Sequence, residues 1–64
     1  DRATQGVLDI LMKQGGFFKF TDKSDPDEIR KVFKMSKKAF KKALGNLYKQ
    51  KMVSLDKDGT RLVK

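Results

Sequence analysis

The stretch Asp25-Pro26-Asp27-Glu28-Ile29-Arg30-Lys31-Val32-Phe33-Lys34-Met35-Ser36-Lys37-Lys38-Ala39-Phe40-Lys41-Lys42-Ala43-Leu44-Gly45-Asn46-Leu47-Tyr48-Lys49 contains two helix starts in close succession. At the first, Asp25 is expected to accept from first-turn amides, Pro26 suits the first helical position, and Glu28 stands where a capping box places an acid. These carboxylates are accounted for by capping, not by a catalytic pair. Ile29, Val32 and Phe33 follow at i, i+3, i+4, while Arg30, Lys31 and Lys34 take the other face and the C-terminal end, where cations suit the helix dipole. The second helix starts almost at once, with Ser36 as N-cap and Met35 set to staple onto Phe40. At about 100° per residue, Ala39, Phe40, Ala43, Leu44 and Leu47 share one side with Tyr48 at its margin. Lys38, Lys42, Gly45 and Lys49 line the opposite side, flanked by Lys41 and Asn46. Two helices joined by so tight a turn predict a helix-turn-helix.

The flanking segments complete the fold. Ala3, Val7, Ile10 and Leu11 predict a helix over Arg2 to Gln14, with Asp1 as N-cap and Gly15-Gly16 as its stop. Phe17 to Phe20 alternates as a brief strand, Phe18 and Phe20 on one face and Phe17 and Lys19 on the other. Thr21 to Ser24 is polar turn material. From Met52 alternation returns, with Val53 and Leu55 on one face and Met52 and Ser54 on the other, and Asp58-Gly59 is expected to supply positive φ in a hairpin turn before Thr60 to Val63. Helix, short strand, helix, helix, hairpin is the order of an α+β winged helix, a three-helix core closed by a C-terminal wing with the third helix presented outward. Its expected core is Val7, Ile10, Leu11, Phe18 or Phe20, Ile29, Phe33, Phe40, Leu44, Leu47, Leu55 and Leu62.

Composition narrows the function. With 64 residues, positions 1–64 support a single domain with one small core. No Cys and no His are present, which removes disulfides, thiolate zinc sites, the usual general base and the commonest metal ligand. Neither an enzyme nor a bound metal or cofactor is expected. The apolar runs are too short to cross a bilayer and no signal segment opens the chain, so the expectation is a cytoplasmic protein with no membrane partner. A start at Asp1 suggests a fragment of a longer protein.

Sixteen cations face eight acids, a formal net charge of +8. Arg30, Lys31, Lys34, Lys37, Lys38, Lys41, Lys42, Lys49 and Lys51 lie in one stretch from Ile29 to Lys51 that contains no acid. The remainder of the chain is therefore close to neutral, and the block is the electrostatic footprint expected of a phosphate-binding surface. Candidate contacts are Lys37, Lys38, Lys41, Lys42 and Lys49 on the third helix, with Lys57 and Arg61 on the hairpin. Gly45 interrupts a good helix at a cost of about 1 kcal/mol relative to Ala; close approach of phosphate or of a partner backbone is one reading, a neutral surface position or a packing contact with the wing the other. Lysines bind phosphate as point charges without reading bases, and the face offers only Asn46 and Gln50 for base edges, so little sequence preference is expected. Asp56 and Asp58 make the wing a poor phosphate clamp. Phe17 and Tyr48 are the rings that could stack on bases instead of packing. Alternatives are a duplex-DNA-binding winged helix and a protein or interdomain interaction module with no nucleic-acid contact.

The joined motifs DKSDP, from Asp22 to Pro26, and MSKKAFKKALG-LY, from Met35 to Tyr48, resemble the C-terminal domain of the bacterial conserved virulence factor B family, and the likeness covers nearly the whole chain. The resemblance implies a winged helix that follows several OB-fold barrels, which would be its neighbouring partners. It also implies a cytoplasmic RNA-binding regulator of virulence-gene expression, and so favours RNA over DNA backbone as the ligand. No catalytic residues carry over. Lys34 stands where Gly is expected in many relatives, which predicts a turn between the second and third helices that depends less on positive φ.

Overall fold

The structure, a computed structural model, describes residues 2–63. The N-cap expected of Asp1 lies outside the described residues. In chain order the elements are α1 (Arg2–Lys13), β1 (Phe17–Phe18), α2 (Pro26–Phe33), α3 (Lys37–Lys49), β2 (Val53–Asp56) and β3 (Gly59–Leu62). Three helices pack beside one antiparallel sheet of order β1-β3-β2, which is the expected winged helix. Both neighbours of β3 are fixed by register: Phe17 faces Arg61 and Phe18 faces Thr60, while Leu55 faces Thr60 and Asp56 faces Gly59.

Each helix ends at a residue with left-handed backbone. After α1, Gly15 takes φ 83, its N–H donates to Met12 C=O at 3.1 Å, and that of Gly16 donates to Leu11 C=O at 2.9 Å. After α3 the same two-bond closure forms around a lysine. Lys51 has φ 60, its N–H donates to Tyr48 C=O and that of Met52 to Leu47 C=O, both at 3.0 Å. These pairs satisfy carbonyls that a helix end leaves open. After α2, Lys34 takes φ 58, ψ 33 and its N–H donates to Arg30 C=O. This corrects the expectation that a lysine frees the turn from positive φ: with Ser36 starting α3 two residues on, the chain must reverse at Lys34 whatever its side chain.

The two N-termini of the central helices differ. Ser36 Oγ accepts from Ala39 N–H at 3.2 Å, as expected of an N-cap. Asp25 occupies the N-cap of α2 with extended backbone, but its side chain makes no cap hydrogen bond. Polar bonding is concentrated just upstream instead, where Ser24 Oγ accepts from Thr21 N–H at 2.9 Å and Thr21 Oγ1 from Lys23 N–H at 3.1 Å.

The core is aromatic at its centre. Phe18, Phe33 and Phe40 are buried, and Phe33 joins Phe40 at 4.6 Å, Phe18 at 5.2 Å and Phe20 at 5.3 Å between ring centroids. Edge contacts at 72° and 86° favour the pairs beyond their buried area. Val7 and Leu11 of α1, Ile29 of α2, and Ala43, Leu44 and Leu47 of α3 close around these rings. Ile10, Met35 and Leu62 sit partly buried at the margin. On β2 Leu55, expected in the core, is 47% exposed, whereas Val53, on the same face, is 3% exposed. Both point to the same side by alternation, but the hairpin outruns the helix layer, so the residue nearer its tip is left uncovered.

The hairpin turn is also one residue earlier than expected. Lys57 and Asp58 form it, and Gly59 is the first residue of β3, paired with Asp56. Gly59 has φ 155, and a side chain there would run into the carbonyl oxygen of Phe18 and meet Lys19 Cα at 2.8 Å. Close approach of the first strand, not the turn, requires this glycine.

Candidate nucleic-acid interface

The sequence of α3 sorts its side chains by depth, and the fold determines what each side meets. Phe40, Ala43, Leu44 and Leu47 are buried, whereas Lys38, Lys41, Lys42, Gly45 and Lys49 are exposed and Lys37 is half-buried. On one flank Asn46 Nδ2 donates to Thr4 Oγ1 of α1 at 3.1 Å. Of the two side chains expected to reach base edges, Asn46 is thus engaged in holding α1 to α3, and Gln50 stands exposed at the C-cap.

The other flank faces the wing across two shallow concavities. The larger, about 420 Å3, lies between Lys41, Leu44 and Gly45 of α3 and Leu55, Asp56, Lys57 and Thr60 of the hairpin, with Thr21, Asp22 and Lys23 at its end. The smaller, about 390 Å3, lies between Tyr48, Lys49 and Lys51 at the end of α3 and Val53 and Val63. Lys41 and Tyr48, seven residues apart, fall nearly one above the other on a helix. As α3 advances from Lys41 to Tyr48, the facing residues of the hairpin recede from Lys57 to Val53. The two concavities therefore follow one another along α3 with β2 opposite, an interrupted channel.

Charge is distributed unevenly along this channel. Lys23, Lys41 and Lys57 are countered by Asp22 and Asp56 in the larger concavity; the smaller one has Lys49 and Lys51 and no acid. Of the expected contacts, Lys41, Gly45 and Lys57 come together in the first and Lys49 lies in the second. Lys37, Lys38 and Lys42 line neither. Arg61 lines neither concavity; its guanidinium lies 4.9 Å from the centroid of the Phe17 ring, a cation–π pair across the β1–β3 register. Phe17, weighed as a base-stacking ring, is thereby occupied.

Gly45 has open space above it, because an added Cβ would find nothing within 4 Å. Packing against the wing does not account for this residue. Its missing side chain leaves the channel wider beside Lys41, in the larger concavity.

Lys23, Lys51, Leu55 and Thr60 also line the concavities and were not singled out as contacts from sequence. Lys51 belongs to the acid-free block, so charge alone pointed to it. Lys23 is brought in by the Thr21–Ser24 turn, and no local pattern announces that. Thr60 is fully buried with its hydroxyl donating to Phe20 C=O at 3.0 Å, which explains a polar residue on the central strand. Among the described residues no group of three His, Cys, Asp or Glu could hold a metal ion, and no helix is long and apolar enough to cross a membrane.

The family profile of the CvfB-like winged helix domain matches residues 5–62. Conserved virulence factor B of Staphylococcus epidermidis is 43% identical over 60 residues, which is 94% of this chain and 20% of that protein. The protein of the same name from Staphylococcus aureus strain USA300 matches with the same identity and coverage. A solved structure of a multidomain protein with nucleic acid binding domains from Streptococcus pneumoniae superposes with a TM-score of 0.94 at 43% identity, over 98% of this chain and 22% of the other. The chain thus spans about one fifth of the length of the curated relatives it matches.

Proposed function

Since the chain belongs to the family of CvfB-like winged helix domains, we propose that it is an accessory RNA-binding module of a bacterial, cytoplasmic regulator of gene expression. It takes the phosphate backbone along α3 with little sequence preference. The observation that carries this reading is the acid-free block of nine cations from Ile29 to Lys51, which lie on α2 and its C-cap, along α3 and just beyond it, all exposed except half-buried Lys37. Lys37, Lys38, Lys41, Lys42 and Lys49 neutralise phosphates, Gly45 leaves room for the backbone, and Lys57 and Arg61 contribute from the hairpin. Engagement of Asn46 with Thr4 leaves few side chains for base edges, in keeping with weak sequence preference. The nucleic acid binding domains named for the pneumococcal structure support a nucleic-acid ligand. Preference for RNA rests on the likeness to conserved virulence factor B.

The test is a titration of the chain with single-stranded RNA at several salt concentrations. With about four phosphates neutralised, log K falls against log salt with a slope of roughly −3, about −0.7 per contact. A salt-insensitive interaction, or none, overturns the reading. Competition against a DNA duplex of matched charge decides the ligand: displacement of RNA by an equal amount of duplex would favour DNA.

A further inference from the structure

Tyr48 is the aromatic side chain of this domain that the core leaves uncovered. It is 57% exposed, whereas Phe18, Phe33 and Phe40 are at most 5% exposed. Phe20 packs on the ring cluster and Phe17 is covered by Arg61. An exposed ring on a helix flank is unremarkable alone; its surroundings give it a use. It borders the smaller concavity, where Val63, 44% exposed, supplies apolar surface beside the nearly covered Val53 and Lys49 and Lys51 supply charge without an opposing acid. Lys51 is held at φ 60 by the two-bond closure of α3, so its backbone is fixed relative to the ring. An apolar ring beside two uncompensated cations matches one repeating unit of a single strand, a flat base between phosphates. In a duplex the base faces are already stacked on one another and unavailable to a side chain.

We propose that Tyr48 is a stacking platform for an unpaired base, with Lys49 and Lys51 on the adjoining phosphates, so that the domain engages its nucleic acid in single-stranded form. This rests on the phosphate-binding reading above and adds the state of the ligand and a contact that lysines cannot make. A base stacked on an aromatic ring improves affinity by about tenfold.

The chain contains one Tyr and no Trp, so its intrinsic fluorescence reports Tyr48 alone. The experiment titrates the 64-residue chain with a short oligouridylate and with an abasic ribose phosphate oligomer of the same length and charge. Oligouridylate should quench the tyrosine emission and bind about tenfold tighter than the abasic oligomer, which should bind without quenching. Tyr48→Ala should bring the two affinities together and Tyr48→Phe should preserve their ratio, with far-UV circular dichroism unchanged because the side chain is outside the core. Equal affinities with unquenched emission would overturn the stacking platform while leaving phosphate binding intact. Failure of both oligomers to bind would overturn the phosphate-binding reading and this inference with it.

Discussion

Lys34 and Lys51 hold the two left-handed, non-glycine backbones of the described residues, a conformation that costs an L-residue roughly 1–2 kcal/mol. Replacing either with Gly removes that cost while adding unfolded-state entropy, so each change should stabilise the fold by about 0.5–1 kcal/mol, a rise in Tm of a few degrees on thermal melting. Lys51→Gly should at the same time weaken polyanion binding. Gly45→Ala presents the opposite balance of causes. Nothing lies within 4 Å of the new methyl, so helix propensity alone should stabilise by about 1 kcal/mol in a melt, while the narrowed channel should lower affinity for RNA. Unchanged affinity would remove close approach as the reason for this glycine. Sequence reading located Gly45 and its anomaly, but its surroundings are set by a hairpin several residues downstream. At Lys34 local rules favour Gly for positive φ, whereas the short connection from α2 to α3 imposes that backbone on whichever residue is there.

At the level of elements, the two central helices offer a paired comparison. Ser36→Ala removes an observed hydrogen bond to Ala39 N–H and should cost about 1 kcal/mol. Asp25→Ala removes none, and only its favourable charge near the α2 dipole is lost, about 0.3–0.5 kcal/mol. Chemical denaturation midpoints for the two variants read the difference, and equal losses would mean that Asp25 caps in solution. Both caps look equally good in sequence, because residue type and spacing give no orientation for a carboxylate beside an exposed turn. Element order, the α3 face and the ring cluster were legible, since 3.6-residue and two-residue periodicities specify which side is buried. Depth along a strand was not, and for that reason Leu55, expected in the core, lies outside it while Val53 lies within. The tie from Asn46 to Thr4 joins residues 42 positions apart, beyond any local pattern.

Across the whole molecule the cations divide into an outer row, with Lys38 and Lys42, and a channel wall, with Lys41 and Lys57. Both rows should contribute to a salt-dependent interaction, so the double variant Lys38→Glu, Lys42→Glu should weaken binding to unrelated RNA sequences alike and make the salt slope shallower by about 1.4. Its melt should stay close to that of the parent, since both side chains are exposed. Phe40→Ala should fail in the other direction. A loss of about 3–5 kcal/mol at the centre of the ring cluster approaches the whole stability expected of so small a domain, and binding should vanish with the fold. The sheet order has its own consequence for how this molecule is made. β3 separates β1 from β2 yet follows both in the chain, so on an elongating ribosome the two earlier strands emerge as unmatched edges. Neither can help the other, because their shared partner emerges only after both. Until β3 slides between them, the helices alone must shield the nascent rings, and the last sheet strand to appear is the one that makes the assembly cooperative.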